Sequence, residues 1–283
     1  MMSNLQVPGA TIAYDLLGNG PLILFIAGGG GTAAIYQPIA DELKDRFTVL
    51  TYDRRGFSRS TLTGEQDYSA RLQTDAADAA RLIEHVGMGP AVIFGSSSGA
   101  IVALTVLSHH PDVVRILVAH EPPVTRFHPD APERLRQLHA FHNTYRIEGM
   151  QAARQQFMQA WPTSASDQQL LRQSMPPEAG GEMAKNMSYW FEHELRQYPS
   201  VELDIESLKR NADRLLLIMG GEETQDRPTT PIIKALASAL DVPLHQMPGG
   251  HMGYSVKVHA FVEMLVRLLS EHNTKTHNPP PQA

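Results

Sequence analysis

The chain has 283 residues, 42% of them hydrophobic, and a formal net charge of −6. That length buries a substantial core as one large α/β domain or two small ones, and the composition is globular, not disordered. The lack of cysteine excludes disulfides, thiol catalysis and cysteine-ligated metals, and mild acidity with charges of both signs interspersed argues against a nucleic-acid partner.

The N-terminal stretch Met1-Met2-Ser3-Asn4-Leu5-Gln6-Val7-Pro8 lacks a basic region and an apolar core, so no signal peptide is read there. No apolar run reaches membrane-spanning length, and a cytoplasmic protein with no membrane partner is expected. Residues 5–7 and 11–16 read as a short hairpin turned by Pro8-Gly9, and Gly18-Asn19-Gly20-Pro21 is a second turn. Leu22 to Ile26 is a continuous apolar run, the pattern of a strand buried on both faces of a sheet. It leads into Gly28-Gly29-Gly30-Gly31, where backbone can approach a ligand closely and turn N–H groups toward an anion. A dinucleotide fingerprint is the main rival reading of this turn. Gly28-x-Gly30 is present, but Ala33 stands where the third glycine falls, and the acidic residue after the next strand is Asp53, in a charged turn Asp53-Arg54-Arg55-Gly56. The Gly-Lys-Ser/Thr ending of a phosphate loop is missing.

A helix is expected over about 34–45 and a strand over 47–52, followed by that charged turn. A long helix over 69–87 is stopped by Gly87 and Gly89-Pro90. The branched apolar run Ala91-Val92-Ile93-Phe94 reads as a buried strand, Gly95-Ser96-Ser97-Ser98-Gly99 as a sharp turn, and the small and apolar residues after it as a helix ending near His109-His110-Pro111. Val113 to Ala119 is a further strand, ending in His120-Glu121-Pro122-Pro123. From 124 to 207 no strong strand run occurs; helical stretches carry mixed aromatics, methionines and charges, broken in the middle by the segment from Ser174 to Gly181. Their apolar residues read mostly as that segment's own core, with Trp190 and Phe191 as candidates to line a pocket. Strand 214–219, a helix over 229–240, strand 242–247 and a final helix to about 271 complete the pattern.

Strands alternating with helices predict a mostly parallel central sheet flanked by helices, with sites at the carboxyl ends of the strands. The expected organisation is a core domain from residues 1–123 and 208–272, a helical cap inserted at 124–207, and a disordered tail at 273–283.

The turn at Ser97 is a Gly-x-Ser-x-Gly match in the strand–turn–helix context that a nucleophile elbow requires. Gly95 and Gly99 leave room where a Cβ would clash, and the start of the following helix offers free N–H groups to an oxyanion. A serine hydroxyl needs a base, and the base needs an orienting carboxylate. Of 13 histidines, His251 follows the last strand in the glycine-rich loop Pro248-Gly249-Gly250-His251, after the elbow in chain order. The carboxylate is open on the residues alone: Glu222, Glu223 and Asp226 follow the penultimate strand, with Glu223 best placed, and Glu121 ends the strand after the elbow helix.

Across nearly its full length the chain resembles an α/β-hydrolase-fold protein. The resemblance rests on the glycine-rich loop, Asp53-Arg54-Arg55-Gly56-x-Ser58-Arg59-Ser60, the elbow, the helical cap and Pro248-Gly249-Gly250-His251. Locally it is similar to the zearalenone lactonase branch, which has a like Gly-x-Ser-Ser-Gly-Ala elbow and a His-Glu-x-Pro segment. The resemblance implies a triad of Ser97, His251 and Glu121, with the N–H groups of Gly29 and Ser98 as oxyanion hole. It implies no metal or organic cofactor. The chain departs from the family's pattern at Ala27-Gly28, where His-Gly is usual, and in having no clear Gly-x-x-Asp after the penultimate strand. The expected function is a serine hydrolase acting on a small-molecule carboxylic ester or lactone with an apolar or aromatic acyl part. Two other readings stay open: a ligand-binding protein of this fold with a silent triad, and a cofactor-free non-hydrolytic enzyme using the same residues.

Overall fold

The structure is a computed structural model that describes residues 2–174, 180–222 and 227–277. In chain order its strands are β1 (Met2–Val7), β2 (Ala10–Gly18), β3 (Leu22–Ile26), β4 (Thr48–Tyr52), β5 (Thr61–Leu62), β6 (Ala91–Ser96), β7 (Val114–His120), β8 (Leu215–Gly220) and β9 (Leu244–Met247). The helices are α1 (Gln37–Leu43), α2 (Arg71–Val86), α3 (Ser98–His109), α4 (Ala131–Glu148), α5 (Met150–Ala160), α6 (Ala165–Ser174), α7 (Glu182–His193), α8 (Ile205–Arg210), α9 (Thr229–Leu240), α10 (Gly253–Val256) and α11 (Val258–His277). One sheet runs in the order β1-β2-β4-β3-β6-β7-β8-β9, with β5 beside β2. The hairpin strands pair antiparallel as far as β4, and every pairing from β4 through β9 is parallel.

The continuous apolar runs follow from burial on both faces. Leu22, Leu24 and Ile26 enter one core with α2, α3 and α9, while Ile23 and Phe25 enter the other with α1 and α11. A strand with no solvent face has no polar alternation to show. Because β3 lies between β4 and β6, the chain leaves β3 toward one side of the sheet and later returns to the other. That reversal opens a crevice at the carboxyl ends of β3 and β6, where open α/β sheets place their sites.

Most predicted elements are present, with shifts that have local causes. The helix expected from 34 opens as a short 3-10 turn, Ala33–Tyr36, with α1 starting at Gln37, one residue before Pro38. Proline fits a first helical turn because it has no N–H to leave unpaired. The short strand β5 has too few residues to carry a pattern. The 124–207 segment is helical among the described residues, and part of its expected central break, residues 175–179, lies outside them. The tail departs from expectation: α11 continues to His277 instead of ending near 271, so residues 273–277 are helical, and 278–283 lie outside the described residues. The helix formers Glu271 and Lys275 prolong it where the prediction took the polar run from Asn273 as a stop. Among the described residues no helix is long and apolar enough to cross a membrane.

Candidate active site

Ser97 sits between β6 and α3 with φ 57 and ψ −125, a left-handed backbone that is strained for a side-chain-bearing residue. The flanking glycines explain how the chain fits. A Cβ on Gly95 would lie 2.3 Å from the Gly99 carbonyl oxygen, and one on Gly99 would lie 2.2 Å from that of Ile26. Helix α3 therefore starts hard against β3. Ser98 is its first residue, so its N–H has no intrahelical acceptor.

Glu121 follows β7 with φ 47, immediately before Pro122. A residue before proline is normally extended, so this backbone is doubly unfavourable. The fully buried carboxylate is nonetheless well met: the Gly220 N–H donates to Oε1 at 2.8 Å, His251 Nδ1 donates to Oε2 at 2.6 Å, and Arg227 Nη1 lies 3.4 Å from Oε2. Burial pushes the carboxyl pKa up, but the His251 hydrogen bond, with the charges of His251, His120 and Arg227, outweighs it and holds the group down to about 2. An ionised carboxylate only accepts, so the proton of this bond resides on Nδ1 and the neutral ring keeps its lone pair on Nε2.

Ser97, Ser98, His251 and Gly28 to Gly31 line one cavity of about 400 Å³. Its other walls come largely from the helical segment: Phe157, Trp161, Met183, Met187, Trp190 and Phe191. Both predicted lining residues are thus there. The four others had been read as internal packing, although Met183, Met187 and Trp190 fall at the i, i+4, i+7 spacing of one helix face. Ser97 and His251 share the cavity with no hydrogen bond between them among the described residues; such contacts are often loose before substrate binds. Glu222 instead lies outside the cavity wall, paired with Lys257 and Ser166. Glu223 and Asp226 lie outside the described residues.

Sequence reasoning missed how the charged turn after β4 is used. It read Asp53 to Gly56 only as a charged turn, and Asp53, Arg54 and Arg55 are buried. Asp53 accepts from the Ala33 N–H at 2.7 Å and from Thr32 and Arg59, so it braces the glycine loop and is not free to hold a ribose. Arg54 Nη1 donates to Asp75 at 2.6 Å, and its two terminal nitrogens donate to the two oxygens of Glu194 at 2.9 and 2.7 Å. His120 was also passed over. It is fully buried, its Nδ1 3.0 Å from Ser96 Oγ and its Nε2 4.0 Å from Glu121 Oε1. Burial holds its pKa down to about 4.

A family model described as the alpha/beta hydrolase family matches residues 23–263. The chain is 32% identical over 277 residues to the uncharacterized hydrolase YraK of Bacillus subtilis (strain 168), covering 96% of this chain and 97% of that one. Among solved structures, a thermophilic esterase from Thermogutta terrifontis superposes with a TM-score of 0.74 at 18% identity, over 96% of this chain and 99% of its own. The enol-lactonase from Burkholderia xenovorans LB400 gives 0.72 at 18% identity, over 95% and 100%. At these identities the two structures speak for the fold alone.

Proposed function

The chain belongs to the alpha/beta hydrolase family, and from that premise we propose that it is a serine hydrolase of carboxylic esters or lactones. The observation that carries the reading is the His251–Glu121 bond of 2.6 Å, made by a histidine that shares its cavity with a serine on a strained strand-to-helix turn. Ser97 Oγ attacks the substrate carbonyl while His251 Nε2 takes its proton. Glu121 holds the ring in the required tautomer and favours its charged form. The N–H groups of Gly29 and Ser98 donate to the oxyanion, and each such donor is worth on the order of 3 kcal/mol. His251 then protonates the leaving alkoxide, and water, activated by the same nitrogen, releases the acid and restores Ser97. The helices between β7 and β8 act as a cap, and the aromatic and methionine wall favours an apolar or aromatic acyl part.

A fluorophosphonate probe followed by peptide mapping tests this. The wild type is expected to be labelled at Ser97, with labelling lost in Ser97→Ala and His251→Ala. Glu121→Gln should lower kcat on activated esters by on the order of 10⁴-fold, as expected when the orienting carboxylate of a triad is neutralised. A folded wild type that neither labels nor turns over esters would overturn the reading and favour a ligand-binding protein.

A further inference from the structure

A run of four glycines is the least ordered backbone a loop can have, yet an oxyanion hole works only if its donors are fixed before the reaction. Ala27 supplies no polar side chain to hold this loop from its own strand. Asp53 and the Arg54 N–H hold the exit of the loop at Gly31 to Ala33, and the helical segment braces the rest. Asn186 Nδ2 donates to the Gly30 carbonyl at 3.0 Å, and the same amide holds Ser58 through its N–H and its Oγ at 3.0 and 2.8 Å. Trp190 lies so close over Gly29 that a Cβ there would be 2.8 Å from its indole, and its Nε1 donates to Ser98 Oγ at 3.3 Å. Glu194 holds Arg54, whose Nη2 donates to the Gly28 carbonyl at 2.9 Å. Residues 186, 190 and 194 are spaced by four, so they form one face of α7 and its C-terminal end. All three are buried. Fixing the carbonyls on both sides of a peptide fixes the direction of the N–H groups between them.

We propose that this face of α7, through Asn186, Trp190 and Glu194, sets the conformation of Gly28–Gly31 and thereby aims the oxyanion donors. The three are positioning residues, and their role in turnover rests on the reading of Ser97 as the acyl-transfer nucleophile. It follows that α7 is a fixed part of the site, and that substrate enters without its displacement.

Asn186→Asp tests this with little change of shape. The Asp keeps an acceptor for the Ser58 N–H but cannot donate to the Gly30 carbonyl. Trp190→Phe, which keeps the ring over Gly29 and loses the bond to Ser98, is the second variant, and the exposed Lys185→Ala on the same helix is the control. Hydrogen exchange of the Gly28–Gly31 amides, read by mass spectrometry, should be faster in Asn186→Asp and unchanged in Lys185→Ala. On an activated ester, kcat should fall about tenfold to a hundredfold with KM unchanged. Affinity for a trifluoromethyl ketone, whose carbonyl carbon takes up Ser97 Oγ to give a tetrahedral hemiketal oxyanion while the proton passes to His251, should fall with kcat, while affinity for the product acid holds. Unchanged loop exchange in both variants overturns the proposal whatever the activity does. Faster exchange with normal kcat overturns the link to the oxyanion hole. A wild type inert to esters and to the phosphonate probe overturns the nucleophile reading itself.

Discussion

At the level of single residues, the two adjacent positions His120 and Glu121 are both strongly perturbed ionisable groups beside the candidate triad, and they make opposite demands. Glu121 must stay charged in a buried place, which it does because His251, the Gly220 N–H and Arg227 meet its oxygens. His120 must stay neutral, because its Nε2 has no hydrogen-bond partner among the described residues and charging it there would be costly. Both effects make acid unfavourable to the fold, in different windows. For His120, with a folded pKa of about 4 against 6.5, the contribution is complete above pH 6.5 and is lost as pH falls toward 4. For Glu121, at about 2 against 4.5, it is complete above pH 4.5 and lost as pH falls through 2. His120→Asn, which keeps a polar group near Ser96 and does not titrate, should therefore flatten the fall in unfolding free energy between pH 6.5 and 4. The difference should reach up to about 3 kcal/mol. Urea titrations of wild type and variant across that range provide the check, and parallel curves would show that His120 charges freely. None of this was readable in the sequence. A histidine before a Glu-Pro-Pro segment looks the same whether its ring faces solvent or lies buried behind a carboxylate.

At the level of elements, the strand–turn–helix unit β6–α3 was fully legible, because every signal in it is local. Branched apolar residues make the strand, glycines two apart from Ser97 make the turn, and small residues let α3 pack down. The glycine requirement can be tested at Gly99, whose Cβ would meet the Ile26 and Ala27 carbonyl oxygens at 2.2 and 2.7 Å. Those atoms are backbone in a central strand and its exit, so they cannot step aside as a side-chain tip would. Gly99→Ala should destabilise the protein by about 1–3 kcal/mol or more, since relief requires α3 to move off β3. Thermal melts should show the loss, and phosphonate labelling of Ser97 should slow in the folded fraction. A variant with native melting and native labelling would mean that α3 has slack that its packing does not suggest. Helix α7 was legible only in part. Its apolar face could be read from spacing, but not that Asn186 shares the buried side. An isolated polar residue in a helix is more often solvated, and nothing local marks the exception.

At the level of the whole molecule, a buried charge cluster ties the helical segment to the sheet. Arg54, Arg71, Asp75 and Glu194 are all buried, and Tyr198 donates to Asp75 at 2.7 Å. Arg54 and Arg71 both donate to Glu194, so removing that carboxylate leaves two buried cations to share the single charge of Asp75. Glu194→Ala should cost about 3–5 kcal/mol, the loss typical of breaking a buried pair on one side. Guanidinium melts should show a single transition for the wild type, because segment and sheet share this cluster. A neutral substitution would mean that water reaches the arginines. The sequence by itself determined the order of the main core strands and helices, the turn at Ser97 and the placing of His251 after the last strand. These are written in short-range periodicity, in glycine and in chain order, which sterics translate directly into backbone. Only the tertiary structure decided that His251 bonds Glu121, 130 residues away, and that Arg54 pairs with Glu194 at a separation of 140. A charged side chain carries the same letter whether water or a distant partner solvates it, and the choice between them is made only when the sheet and its covering helices close around it.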